Sequence, residues 1–90
     1  MSDFEAALRE LRDAYRDSVP AKLDEIDAAL AARSLETARA LAHRLAGTAG
    51  SYGMADLGAA ASAIEARIDA GGDPWDDLAR LLASARTVVR

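Results

Sequence analysis

The sequence predicts an all-α protein, an antiparallel four-helix bundle with an additional N-terminal helical segment. Apolar residues recur at the spacing of a helix face, and no segment alternates as a half-buried strand does. Alanine, the best helix former, is frequent, while aromatic residues make up only 4% of the chain. The predicted connections are a few residues long, so consecutive helices run antiparallel. Residues 1–90 are expected to form one domain.

The first predicted segment begins at an N-cap, Ser2, and carries an apolar stripe toward the core. Pro20 interrupts it, because proline lacks an N–H and its ring clashes with the preceding turn. The residue pattern is compatible with one helix kinked at Pro20 and with two separate helices. The stripe before the proline consists of Phe4, Leu8, Leu11 and Tyr15, and the stripe after it of Leu23, Ile26, Ala29 and Leu30.

The next helix is predicted from Leu35 to about Ser51. Ser34 precedes it as an N-cap, and Gly53 ends it. Its apolar positions share one sector of a helical wheel, which is the side expected to face the core. These positions are Leu35, Ala38, Leu41, Ala42, Leu45, Ala49 and Tyr52.

Two further helices complete the predicted bundle. One runs from about Met54 to Ala70 and stops at Gly71-Gly72. The last begins with Asp73 as its N-cap and Pro74 in its first turn. The positions expected to be buried are Leu57, Ala60, Ala61, Ile64 and Ile68 in the first of these and Trp75, Leu78, Leu81, Leu82, Ala85 and Val88 in the second.

Charge and composition argue against several classes of function. The formal net charge of -4 argues against a nucleic-acid partner, which requires a basic stripe. There is no cysteine, so the sequence offers neither a disulfide framework nor a thiolate metal site. No apolar run approaches the roughly 20 residues that span a bilayer, and the N-terminus lacks the blocks of a signal peptide. We therefore expect a cytoplasmic protein with no membrane contact.

His43, the only histidine, is the strongest candidate for a functional residue. The helical wheel places it roughly 150° from the centre of the apolar sector, so it is expected to face solvent. Gly47 and Gly50 follow at about one and two turns, and each lowers helix stability by roughly 1 kcal/mol relative to alanine. Either a partner approaches the histidine closely, or a glycine serves a helix–helix contact, which remains an alternative for Gly50.

A single exposed imidazole is suited to nucleophilic chemistry. One histidine without cysteine is a weak metal site, and the chain lacks the nucleophile elbow and oxyanion pocket of a hydrolase. Neutral imidazole is available at physiological pH, since its reference pKa is about 6.5, and it can attack phosphorus to form a phosphoramidate. The remaining catalytic groups can then belong to a partner.

The segment from Ala42 to Gly50 resembles the His-x-Leu-Lys-Gly-Ser-Ala core of histidine-containing phosphotransfer (HPt) domains. The stretch from Tyr52 to Leu57, and Ile64-Glu65 in the next helix, are similar to that family's continuation. The resemblance implies a four-helix bundle in which His43 accepts a phosphoryl group from a receiver-domain aspartyl phosphate or a histidine kinase and passes it to a response regulator. It implies a phosphocarrier rather than an enzyme, with no cofactor, since the magnesium ion belongs to the receiver.

The resemblance also assigns roles around the histidine. Gly47 leaves space for the receiver's loops, while Arg44, Thr48 and the neighbouring Gly50 lie near the docking surface. Ala46 is a departure, because the family usually has a lysine at this position to hold the phosphoryl charge. The hypothesis for its replacement is Arg39, one turn before His43, which is expected to belong to the phosphoryl environment.

Two other functions remain open at this point. The chain can be a docking module of the same fold, in which His43 is idle and a receiver or kinase binds without phosphotransfer. It can instead be a plain helical oligomerisation domain, which a monomer in solution would count against. The expectation is a monomeric phosphocarrier whose partners are receiver domains or a hybrid histidine kinase.

Overall fold

A computed structural model describes residues 3–89, and these contain four α-helices and no strand. The helices are α1 (Asp3–Ala31), α2 (Leu35–Ser51), α3 (Ala55–Asp69) and α4 (Trp75–Thr87). Short connections join them, and α2 packs on both α1 and α3, while α4 closes the bundle against α3 and α1. The predicted all-α class and the four-helix bundle are confirmed. The predicted cap at Ser2 lies outside the described residues.

The additional N-terminal segment is the first part of α1, which continues through Pro20 as one helix of 29 residues. Pro20 lies on the exposed face of that helix. Val19 and Leu23, on either side of it, are completely buried. The packing of this apolar stripe therefore outweighs the loss of one backbone hydrogen bond at the proline. Of the two arrangements compatible with the sequence, the structure has the single helix.

The core is built from medium-sized aliphatic side chains and from alanines that allow close helix approach. Gly58 contributes to this closeness, because a Cβ there would lie 3.5 Å from the carbonyl oxygen of Ala46 and 3.8 Å from Cβ of Ala49. The α2–α3 contact therefore brings two backbones close together just below the histidine. The buried residues are Tyr15, Val19, Leu23, Ile26, Ala29, Leu30, Ala38, Ala42, Leu45, Ala49, Leu57, Ala61, Ile64, Leu78, Leu82 and Ala85.

Parts of two predicted apolar stripes are exposed: Phe4 and Leu11 in the first, and Val88 at the end of the last. Phe4 is 70% exposed and Leu11 is 54% exposed, because α1, roughly 43 Å long at 1.5 Å per residue, is longer than the other helices. The molecule accordingly measures 51 × 20 × 20 Å along its principal axes. The prediction that Val88 is buried is wrong: it is 38% exposed and follows the last residue of α4.

The N-terminal caps differ in detail from those predicted. Ser34 occupies the N-cap position of α2, but its hydroxyl donates to Oγ1 of Thr37 at 2.8 Å rather than capping a backbone N–H. At α4 the cap is Pro74 and not Asp73, a shift of one position. The Asp73 carboxylate nevertheless accepts a long hydrogen bond, 3.4 Å, from the backbone N–H of Trp75.

The C-terminal end of α2 has the geometry that its glycine predicts. Gly53 adopts a φ of 75°, which disfavours residues with a Cβ. Its N–H donates to the carbonyl of Gly50 at 3.2 Å, and the N–H of Met54 donates to the carbonyl of Ala49 at 2.8 Å. These two bonds form a Schellman motif, which ends α2 two turns after the histidine and turns the chain into α3.

Candidate functional site

His43 lies near the middle of α2 on the face that points away from the core. Its side chain is 73% exposed, as the helical wheel predicts. The buried positions of the same helix, which include Ala42 and Leu45, lie on the opposite side. The imidazole is therefore accessible to a protein partner while its backbone is fixed within a regular helix.

Glu65 of α3 holds one edge of the imidazole ring. Its two carboxylate oxygens lie 3.1 and 3.0 Å from Nδ1 of His43, and its side chain is only 17% exposed. In neutral imidazole one nitrogen donates and the other keeps a lone pair. A carboxylate beside Nδ1 favours the proton on that nitrogen, which leaves the Nε2 lone pair directed to solvent. From the sequence alone, Glu65 has no predicted role beyond its place in the family resemblance.

Arg39 bridges Glu65 to a second carboxylate on α3. Its Nε donates to Oδ1 of Asp69 at 2.6 Å and its Nη2 to Oδ2 at 3.1 Å, while Nη2 also lies 3.1 Å from Oε2 of Glu65. The hydrogen bond from Arg39 lowers the pKa of Asp69 below its ordinary value, and the same bond raises the pKa of Arg39. Arg39 and Asp69 are therefore both charged at neutral pH, and Arg39 contacts the carboxylates of Asp69 and Glu65.

Gly47 and Gly50 leave the surface beside His43 without side-chain bulk. A Cβ built at either position meets no atom within 4 Å, and both residues are exposed. Within residues 3–89, packing therefore gives no reason for a glycine at either position. Ala46, between them and α3, is half-buried against the core and supplies no charge where the family usually has lysine.

Thr48 is turned toward α1 rather than toward His43. Its Oγ1 lies 2.7 Å from the hydroxyl of Tyr15 and donates to the backbone carbonyls of Arg44 or Leu45 at 3.2 and 3.3 Å. The Tyr15 ring stacks on Tyr52 with centroids 4.5 Å apart. The hydroxyl that the resemblance placed near a docking surface thus joins α1 and α2.

We expect Thr48→Val to lower the free energy of unfolding by about 1 kcal/mol. The change removes the partner of the Tyr15 hydroxyl and leaves His43 and Glu65 untouched. Urea unfolding of Thr48→Val, Tyr15→Phe and the double variant measures the effect. Because the two hydroxyls share one bond, the double variant should lose less than the sum of the single variants; full additivity would contradict this assignment.

Arg44 lies on the other flank of His43, facing α1. It is exposed and, within residues 3–89, takes part in no ion pair. It lines a cleft of about 170 Å³ together with Lys22, Glu25, Leu41, Leu45 and Thr48. The surface around the histidine therefore has a cation available on its α1 side and a cation engaged by carboxylates on its α3 side.

Comparison with known proteins identifies a family. The family model of the Hpt domain matches residues 10–89, which is almost the whole chain. Searches of curated proteins and of solved structures gave no significant match. Across the described part of the chain, no helix has both the length and the apolar character needed to cross a membrane.

Proposed function

The chain belongs to the Hpt domain family, as the motif around His43 predicted, and we propose that it carries a phosphoryl group on His43 between the proteins of a phosphorelay. The family consists of phosphotransfer carriers that interact with receiver domains and histidine kinases. The observation that carries the proposal is the Glu65 contact with Nδ1 of an exposed histidine. We further propose that the chain acts as one monomeric domain in the cytoplasm; the absence of cysteine agrees with a reducing compartment.

The first step of the proposed transfer is an attack by the Nε2 lone pair of His43 on the phosphorus of an aspartyl phosphate. A P–N bond forms while the P–O bond to the aspartate breaks, and the aspartate leaves as a carboxylate. In the return step the carboxylate of another receiver attacks the phosphorus. The P–N bond then breaks, and its electron pair returns to Nε2 as the lone pair of neutral imidazole.

Glu65 is proposed to stabilise the imidazole ring as it becomes positively charged during the attack. The proton on Nδ1 stays in place and its hydrogen bond to the carboxylate becomes charge-assisted, which strengthens it. The distances of 3.0 and 3.1 Å support this role without any movement of α3. The same bond keeps the phosphorylated ring from turning away from the partner.

The bare surface beside His43 is proposed to receive the partner. A receiver must bring its aspartate within bonding distance of Nε2, so its backbone must approach α2 closely. Gly47 and Gly50 present only backbone there, and Ala46 adds a single methyl group. This surface supports an apolar helix of the receiver lying across α2 beside the histidine.

Arg44 is proposed as the cation that attracts the phosphorylated receiver, since Ala46 leaves the usual lysine position uncharged. We expect Arg44→Ala to slow transfer roughly three- to tenfold at low receiver concentration and to weaken its salt dependence, with little change at saturation. Stopped-flow transfer at two ionic strengths measures this. Arg9→Ala, which removes the same charge from the far end of α1, is the matched control. Equal salt dependence in the two variants would exclude the role.

The proposed function is tested by mixing the protein with receiver domains that carry a labelled aspartyl phosphate. The expected result is a label on this protein that is lost in acid and stable in base, as a phosphoramidate is. The label should then move to a second, unphosphorylated receiver.

A second candidate function is a docking module that binds a receiver without chemistry. Ala46 favours it, because the residue lacks the charge of the family's lysine. The two functions differ in one result, since a docking module binds phosphorylated receivers and gains no label. Receiver titrations followed by amide chemical shifts of α2 measure binding independently of transfer.

A further inference from the structure

We infer that Arg39 is a positioning residue that acts on His43 through Glu65 and does not contact the transferred phosphoryl group. This inference rests on the proposed function for its kinetic consequence but not for its structural one. It replaces the hypothesis that Arg39 takes over the charge of the missing lysine. The order of contacts from Asp69 through Arg39 and Glu65 to the imidazole ring supports it.

The role of Arg39 depends on which edge of the His43 imidazole it approaches, the Nδ1 edge or the Nε2 edge. The guanidinium reaches Oε2 of Glu65 at 3.1 Å, and the same oxygen lies 3.0 Å from Nδ1 of His43. Arg39 is thus on the Nδ1 side, behind the carboxylate, whereas the phosphoryl group bonds to Nε2 on the other edge. An arginine held by two carboxylates would have to leave both of them to reach the phosphoryl oxygens.

The arrangement across the two helices explains how Arg39 fixes the carboxylate. Arg39 and His43 are one turn apart on α2, and Glu65 and Asp69 are one turn apart on α3, so two side chains of each helix face two of the other. The bidentate bond to Asp69 holds the planar guanidinium in one orientation. The guanidinium in turn holds Oε2 of Glu65, which would otherwise be free to rotate away from Nδ1.

The consequence concerns the tautomer of the nucleophile. With Glu65 held in place, the proton stays on Nδ1 and the lone pair on Nε2. Without Arg39 the carboxylate samples other rotamers, and the proton is then free to occupy either ring nitrogen. Each molecule with its proton on Nε2 lacks the lone pair that attacks phosphorus.

The test is nitrogen-15 NMR of the imidazole at a pH where the ring is neutral. His43 is the only histidine, so its two ring nitrogens give the only imidazole signals. We expect wild type to hold the proton on Nδ1 and Arg39→Ala to shift the ratio toward Nε2–H, in the same direction as Glu65→Ala. Arg39→Lys keeps the positive charge but loses the planar guanidinium that binds Asp69 through two hydrogen bonds. Its tautomer ratio should therefore lie between those of Arg39→Ala and wild type. A wild-type ratio in Arg39→Ala would overturn the inference.

A matched control separates this effect from a general loss of stability. Arg86→Ala removes other interhelical ion pairs, those from α4 to Asp24 and Asp27 of α1 at 2.9 and 3.5 Å, and neither of these carboxylates contacts His43. Its unfolding free energy should fall by a similar, small amount, because exposed ion pairs contribute little. Its tautomer ratio should stay that of wild type; a shift in this control as large as that of Arg39→Ala would count against the inference.

The kinetic arm is a double-mutant cycle of transfer rates. We expect Arg39→Ala to slow transfer roughly three- to tenfold in the wild-type background and to have no effect in a Glu65→Ala background, since both changes break one chain of contacts. Direct contact with the phosphoryl group predicts the same factor in both backgrounds and would contradict the inference. If neither the wild type nor any variant accepts the phosphoryl group, the proposed function fails. The tautomer ratio measured by NMR still decides whether Arg39 positions Glu65.

Discussion

His43→Gln is expected to abolish phosphoryl transfer completely and to leave the fold and the binding of receivers intact. Glutamine has a similar length but no ring nitrogen with a lone pair, so no phosphoramidate can form. The side chain is 73% exposed and its recorded contacts are those with Glu65, so little packing is lost. Incubation with a labelled phospho-receiver, followed by electrophoresis, measures the transfer.

Two controls make this result decisive. The circular dichroism spectrum and the unfolding midpoint of the variant should match those of wild type, which excludes misfolding. Receiver titration followed by amide shifts should give an unchanged affinity, which excludes a docking defect. Label that persists on the variant would show that another residue accepts the phosphoryl group and would contradict the assignment of His43.

Gly47→Leu is expected to reduce transfer at least tenfold, because a leucine side chain occupies the surface that the receiver needs. Extra methylene groups in a well-packed contact cost roughly 1–3 kcal/mol. A loss of about 1.4 kcal/mol in the binding free energy of the complex lowers the affinity tenfold. Gly47 is exposed and a Cβ at this position meets no atom of the described chain within 4 Å, so the leucine side chain begins in open space rather than against the bundle. Transfer rates over a range of receiver concentrations measure it, and the defect should appear as weaker binding.

The companion variant Gly47→Ala should instead raise the free energy of unfolding by about 1 kcal/mol, the helix propensity of alanine over glycine. Thermal or urea unfolding measures this gain. Ala83→Leu adds a leucine to the exposed face of α4 and serves as the control for added surface bulk, with transfer expected at the wild-type rate. Wild-type transfer by Gly47→Leu would show that receivers do not use this surface.

Helix positions were largely predictable because their signals are local. Glycines with positive φ end α2 and α3 where the sequence predicts, and a helical period marks every core face. The outcome at Pro20 was not predictable, since it depends on how tightly Val19 and Leu23 pack against other helices. Phe4 has the same spacing as the buried residues that follow it, and its exposure follows only from the shorter neighbouring helices.

The candidate site shows the same division between local and long-range information. The outward orientation of His43 follows from its own helix, and so does the position of Arg39 one turn away. Glu65 lies 22 residues beyond the histidine, and only the packing of α3 on α2 brings it to Nδ1. The engagement of Arg39 by Asp69, 30 residues away, depends on the same packing, so the sequence alone offered Arg39 only as a free cation.

The central claim is that Nε2 of His43, freed by the Glu65 bond to Nδ1, carries the phosphoryl group. The most direct test is phosphorus-31 and nitrogen-15 NMR of the labelled protein after transfer from a phospho-receiver. We expect a single phosphohistidine with a phosphorus–nitrogen coupling to Nε2 and a retained proton on Nδ1. A phosphoryl group on Nδ1, or on any residue other than His43, would contradict it.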